Sequence, residues 1–237
     1  MRKSLPHIGL LISVCIQVWS VGNCLGDDLK LIDLKCEYRV NPLGIDTLKP
    51  RFSWVLESQR RGETQTAYEI LAASSEAKLA EGKTDLWDSG KINSSDSLGA
   101  VYAGQPLQSR RRVFWKVRVW NGDNKASKFS QAAWFEMALL NPKDWQARWI
   151  QSPKKAAAGT DQVFDNQPAP LFRKQFELHK NIKRARVYVS GLGYFELRLN
   201  GKRVGNDVLN PGWTSYAKRV LYSTYDITRQ LKRGQNA

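Results

Sequence analysis

Residues 194–199 alternate with a period of two: Phe195, Leu197 and Leu199 are apolar, while Tyr194, Glu196 and Arg198 stand between or beside them. Successive side chains of an extended chain point to opposite faces, so this spacing predicts a strand with one buried and one solvated face. Asn200-Gly201 follows directly. These two residues accept the positive φ angles of a two-residue type I′ turn, and the spacing therefore predicts a β-hairpin. A helix is excluded here.

The same period governs the first half of the chain. Phe52, Trp54 and Leu56 share one face of residues 51–56, and Tyr68, Ile70 and Ala72 share one face of residues 67–72. In residues 113–120, Val113, Trp115, Val117 and Val119 alternate with Phe114, Lys116, Arg118 and Trp120; Ala133, Phe135 and Met137 repeat the pattern. Turn signals separate these runs at Asn41-Pro42, Lys49-Pro50, Gly90, Pro106 and Asn121-Gly122. One helical insert is expected, over residues 75–81. Short strands with turns at this spacing predict an antiparallel β-sandwich over residues 27–140. Trp54, Trp115 and Trp134 have the chemistry of sugar-stacking platforms, but at strand positions in a small sandwich they are expected in the core.

Residues 141–170 then read as a linker and loop, rich in Pro, Ala, Gly, Lys and Gln over 151–170 and without periodicity. A second sandwich is expected over 171–237, with strands at 171–178 and 186–190. The fold class is thus all-β, with two consecutive antiparallel β-sandwiches.

Two ordered sets of motifs carry a family resemblance. The first is P-R-F-S-W, Q-T-A-Y-E-I, W-D-S-G-K-I and F-W-K-V-R-V-W, at residues 50–120. It is similar to the fibronectin type III-like (immunoglobulin-like) module of bacterial alpha-L-rhamnosidases. The second is Y-F-E-L-x-L-N-G-x-x-V-G, then L-N-P-G-W-T-x-Y-x-K-R-V-x-Y-x-T-Y-D-I-T, then G-x-N-A. It resembles the jelly-roll-like amino-terminal module of the same enzymes. The resemblance implies an inverting glycosidase that removes terminal non-reducing alpha-L-rhamnose, using a carboxylic acid and a carboxylate base set apart to admit water. It also implies that both acids lie in a large helical barrel further along the polypeptide. On this reading the second sandwich is truncated, owing at least one strand after Ala237.

Residues 1–26 differ from the rest. Arg2 and Lys3 precede a mostly apolar run over residues 8–21, about 14 residues long. That length suits a secretory signal rather than a membrane-spanning helix, which needs roughly 20 residues. Export to the periplasm, the outer membrane or the medium is expected. Val21-Gly22-Asn23-Cys24 resembles a bacterial lipoprotein processing box that would lipidate Cys24, although Asn23 departs from the very small residue usual there; plain cleavage nearby is the alternative. Membrane attachment is expected only if Cys24 is lipidated. Cys15 leaves with the signal, and Cys36 is expected as a small unpaired core residue.

Of the net charge of +15, residues 171–237 hold 14 basic and 4 acidic side chains. Such an excess suits an anionic partner, such as nucleic acid or an acidic polysaccharide, or an acidic surface further along a longer polypeptide. Nucleic acid is not expected, because the cations lack interleaved stacking aromatics and an export signal precedes them.

The loop at residues 211–216 (Pro-Gly-Trp-Thr-Ser-Tyr) is the candidate binding surface. Aromatic faces stack on the C–H face of sugar rings, and amide and acid groups bond hydroxyls. Trp213, Tyr216, Asn210 and Asp207 are therefore the candidate carbohydrate residues. The competing reading makes Trp213 a packing plug and Tyr216 a strand-end residue. Some modules of the resembled family bind rhamnose with calcium, but Glu177, Glu196, Asp207 and Asp226 are the only acids after residue 170, too few to assign a calcium site. No catalytic residue or metal ligand is assigned: there is no Gly-x-Ser-x-Gly elbow, and His and Cys are too scarce for zinc. Two functions compete: the amino-terminal, non-catalytic part of an exported alpha-L-rhamnosidase, partnered by its catalytic domain and by rhamnose-containing glycosides, and a stand-alone carbohydrate-binding or adhesion protein.

Overall fold

The computed structural model describes residues 29–152 and 169–237. Residues 1–26, Cys24 among them, and most of the 151–170 loop lie outside the described residues.

The first domain is two antiparallel sheets packed face to face. One orders β1 (Lys30–Cys36), β2 (Arg51–Glu57) and β6 (Leu98–Val101); the other orders β4 (Trp87–Asp88), β3 (Gln65–Ala73), β7 (Arg112–Asn121) and β8 (Ala133–Glu136), with β5 (Ile92–Asn93) also on β3. β7 follows the predicted period residue by residue, with Val113, Trp115, Val117 and Val119 fully buried. Phe52 of β2 meets Trp115 with ring centroids 4.4 Å apart. Burying a side chain of that kind contributes about 1.5–3 kcal/mol. The Trp54 indole donates to Gln65 Oε1 at 3.0 Å, and Gln65 Nε2 reaches the carbonyls of Ser94 and Asp96. A buried amide is satisfied in this way rather than stranded.

Two details depart from the period-two reading. Strand β3 is buried on both faces, because helix α1 (Glu76–Ala80) lays Leu79 against Leu71 and Ala73 on its outer side. The helix forms where expected, with Ser75 as N-cap accepting from the Lys78 amide. Trp134 is only half-buried and faces away from the core, where the Arg112 guanidinium covers its ring at 4.1 Å. Cys36 is buried and unpaired, and burial pushes its thiol pKa up.

The second domain pairs β9 (Phe176–Leu178) with β14 (Gly234–Asn236), β10 (Arg186–Val189) with β13 (Ser223–Asp226), and β11 (Arg198–Leu199) with β12 (Lys202–Arg203). The hairpin turn at Asn200-Gly201 has φ of +52° and +79°, the geometry expected of that dipeptide. The strand before it is shorter than predicted. Residues 194–197 keep the alternation, but the Phe195 amide bonds to the Asn210 carbonyl of a loop instead of to a strand. Residues 171–175 likewise lie outside the strand predicted there, with Leu171 98% exposed. Strand β14 lies antiparallel against β9. Asn200 fastens it: its Nδ2 donates to Asn236 Oδ1, and its Oδ1 accepts from the Ala237 amide.

The two domains meet over a polar seam. Glu136 ends β8 on the face opposite Phe135, yet it is 1% exposed. Its carboxylate accepts from Arg186 Nε at 2.8 Å and Arg112 Nε at 3.1 Å, and Arg184 lies 3.8 Å away. Beside it Tyr222 Oη accepts from the Leu139 amide, and the Tyr222 ring packs on Trp145 and Tyr188. Part of the basic excess of residues 171–237 therefore faces a buried acid of the preceding domain.

Candidate functional site

The residues singled out from sequence fall on one loop, and the structure gives them different tasks. Strand β13 presents Ser223 and Tyr225, and Asn210 Nδ2 donates to both hydroxyls, at 2.6 and 2.5 Å. With its carbonyl taken by Phe195, Asn210 holds the loop to the domain; the Asn210–Pro211 peptide is cis. Burial, together with a hydrogen bond to Asp207, pushes the Tyr225 phenol up. The Tyr225 ring lies against Gly205, where an added Cβ would stand 2.4 Å from it. Tyr216 Oη accepts from the Gly193 amide at 2.8 Å and ties the 191–194 turn to the loop.

Trp213 behaves otherwise. It is 81% exposed, so the packing-plug reading does not describe this chain. Through the Tyr216–Gly193 bond its loop adjoins Leu192 and Tyr194, which are also exposed. The result is an aromatic and aliphatic surface whose nearby polar groups are largely spent on holding the loops. Tyr194 and Tyr225 were missed from sequence. The first stood in the solvated phase of an expected strand, and the second was one aromatic among several in a basic stretch.

Comparison with known proteins identifies the two domains. Residues 31–141 match the family described as Rha78A-like, N-terminal immunoglobulin domain, and residues 180–237 match the alpha-L-rhamnosidase N-terminal domain. The chain belongs to the alpha-L-rhamnosidase family. An alpha-L-rhamnosidase of Formosa agariphila is 44% identical over 83% of this chain, and one of Alteromonas is 40% identical over 84%. The chain spans about a fifth of their length, 21% and 22%. Among solved structures, the alpha-L-rhamnosidase from Dictyoglomus thermophilum superposes with a TM-score of 0.79 at 40% identity, covering 87% of this chain and 24% of that one. The Streptomyces avermitilis alpha-L-rhamnosidase complexed with L-rhamnose gives 0.75 at 26% identity, covering 88% and 36%.

With the alpha-L-rhamnosidase family in view, the carboxylates can be placed. Glu177 and Glu196 are surface groups; Glu196 pairs with Arg198 at 2.7 Å, and Glu177 stands 3.8 Å from His179. Asp226 pairs with Arg186 at 2.9 Å. Burial raises the Asp226 pKa, but hydrogen bonds from Thr228 and the nearby arginines hold it below the usual carboxylate range. Glu136 is locked among the guanidinium groups of Arg112, Arg184 and Arg186. Among the described residues no three His, Cys, Asp or Glu side chains gather to hold a metal. Asp207 has Tyr225 for its neighbour and Arg203 on its own carbonyl, a donor set that does not fit calcium.

Proposed function

We propose that these residues are the amino-terminal, non-catalytic part of an exported alpha-L-rhamnosidase. The parent polypeptide hydrolyses terminal non-reducing alpha-L-rhamnose with inversion, using acids carried by a domain beyond the two sandwiches. The observation that carries this is continuity: identity near 40% to several alpha-L-rhamnosidases runs through both domains and the seam between them. The Glu136–arginine seam supports a scaffolding role, because it fixes one sandwich on the other. The basic start and short apolar run of residues 1–26 support export, with Cys24 as the lipidation point if processing follows the lipoprotein route.

Trp213 favours a second task, contact with carbohydrate. An exposed indole on a loop tied to the 191–194 turn offers a stacking face, and a stand-alone binding or adhesion protein would use the same surface. The test is direct. The purified chain is assayed on an aryl alpha-L-rhamnoside and titrated with L-rhamnose while tryptophan emission is followed. The expected result is no turnover, with an emission change that Trp213→Ala removes. Turnover by this chain alone would overturn the non-catalytic assignment, and an unchanged emission would overturn the carbohydrate contact.

A further inference from the structure

The seam between the domains opens into a cleft of about 440 Å³, lined by Arg112, Lys183, Arg184, Arg186, Asp226 and Arg229 together with Thr228. A second hollow of about 350 Å³ adjoins it through Arg184 and Arg186, and Arg110, Glu136 and Tyr188 line that one. Both lie within or near the size range of small-molecule sites. The local topology explains the gathering of charge. β10 and β13 pair with Arg186 opposite Asp226, so the residues just before β10 (Lys183, Arg184) and just after β13 (Thr228, Arg229) come to one mouth.

The charges in the cleft are not balanced. Five cations and Asp226 line the cleft, and Arg110 and Glu136 line the adjoining hollow, so six cations meet two carboxylates. Arg186 is only 7% exposed and is committed to both acids, which makes it a fixed donor rather than a mobile one. Arg184 is half exposed, with Glu136 at 3.8 Å. Lys183 and Arg229 make no side-chain ion pair or hydrogen bond among the described residues. Tyr188 adds a neutral group: its hydroxyl is buried, and the residue lines the adjoining hollow without a hydrogen-bond partner for that hydroxyl among the described residues. Like charges held this close repel, and an oxoanion entering the mouth relieves that repulsion while accepting charge-assisted hydrogen bonds.

We propose that this cleft binds an oxoanion group, carboxylate or sulfate, carried on a saccharide. The oxoanion sits among Lys183, Arg184 and Arg229, and the sugar hydroxyls meet Thr228 and Tyr188. The saccharide part of this assignment rests on the rhamnosidase reading above; the anion part rests on the cleft itself. The two domains would then share a site that neither builds alone, since Arg112 comes from the first and the other cations from the second.

The test is calorimetric titration of the purified chain with D-galacturonate, galactose 6-sulfate, neutral galactose and inorganic sulfate. One or both acidic sugars are expected to bind, with galactose at least tenfold weaker; which acid binds identifies the source of the anion. The double variant K183Q/R229Q removes two charges that have no side-chain partner among the described residues, so its melting temperature should stay unchanged while acidic-sugar affinity falls at least tenfold. Raising the salt concentration should weaken binding in the same direction. Equal binding of galactose, an unaffected double variant, or inorganic sulfate binding as tightly as both sugars (an adventitious ion only) would each overturn the proposal. Loss of the cleft with rhamnosidase turnover intact in the longer polypeptide removes this inference alone. Absent turnover with acidic-sugar binding intact removes only the enzyme reading.

Discussion

Neutralising Glu136 is the sharpest perturbation the structure offers. Glu136→Gln keeps the shape of the side chain and deletes the one anion shared by Arg112, Arg184 and Arg186. The Glu136 side chain is 2% exposed and that of Arg186 7%, so solvent screens the pair little. Removing one partner of a buried ion pair costs about 3–5 kcal/mol, because the remaining charge is left without compensation. Asp226, at 2.9 Å from Arg186, holds part of that charge and places the expected loss near the lower end, about 3 kcal/mol. For a chain of this size such a loss lowers the melting temperature by roughly 6–12 °C. Urea titration followed by tryptophan emission measures the change, with Trp134 and Trp145 near the seam as reporters. Small-angle scattering should show the domains separating before the first sandwich unfolds. A double-mutant cycle with Arg186→Gln should return a coupling of about 1–3 kcal/mol. A loss below about 1 kcal/mol, or an additive cycle, would refute the view that this carboxylate joins the domains.

Three further outcomes are expected. Gly205→Ala puts a Cβ 2.4 Å from the Tyr225 ring at a φ of +74°, and should cost about 2 kcal/mol or more in urea denaturation. Asp85 accepts from Lys78 and Ser74, which outweigh its burial and hold its pKa well below the usual carboxylate range. The stability it contributes is present above that range and lost as pH falls through the folded value; Asp85→Asn should flatten the acid limb of melting temperature against pH. Burial pushes the Tyr102 phenol up to about 12, so its contribution holds below the ordinary tyrosine value and disappears as pH rises through about 12. Absorbance at about 295 nm should show Tyr102 among several late-ionising tyrosines, and Tyr102→Phe should remove one phenol's share of that late change.

Much of the fold could be read from the residues because its causes are local. Alternation in residues 113–120 fixes which side chains enter the sheet interface, since the strand period is two wherever the strand lies. Ser75 announces the short helix, and Asn200-Gly201 announces the hairpin, because capping and positive φ depend on the residues themselves. The candidate loop was legible only in part: the aromatic run marked it, but residue type does not say whether a ring plugs a core or stands in water. Trp213 stands in water, and Asn210 and Tyr216 became struts, because Gly193, Ser223 and Tyr225 come to them from elsewhere in the chain. Strands at 171–175 and 194–197 failed to form for a similar reason: a period of two shows that a strand is possible, and a hydrogen-bonding neighbour decides whether it exists.

Sequence by itself thus determined the all-β class, the family and the sites of the tight turn and helix cap. Tertiary structure alone decided the meaning of Glu136, which reads as an ordinary solvated acid on β8 until residues 50 positions away bring Arg186 onto it. The physical reason is range. Backbone preference and side-chain alternation act within a few residues, whereas the desolvation of a charge depends on everything that folds over it.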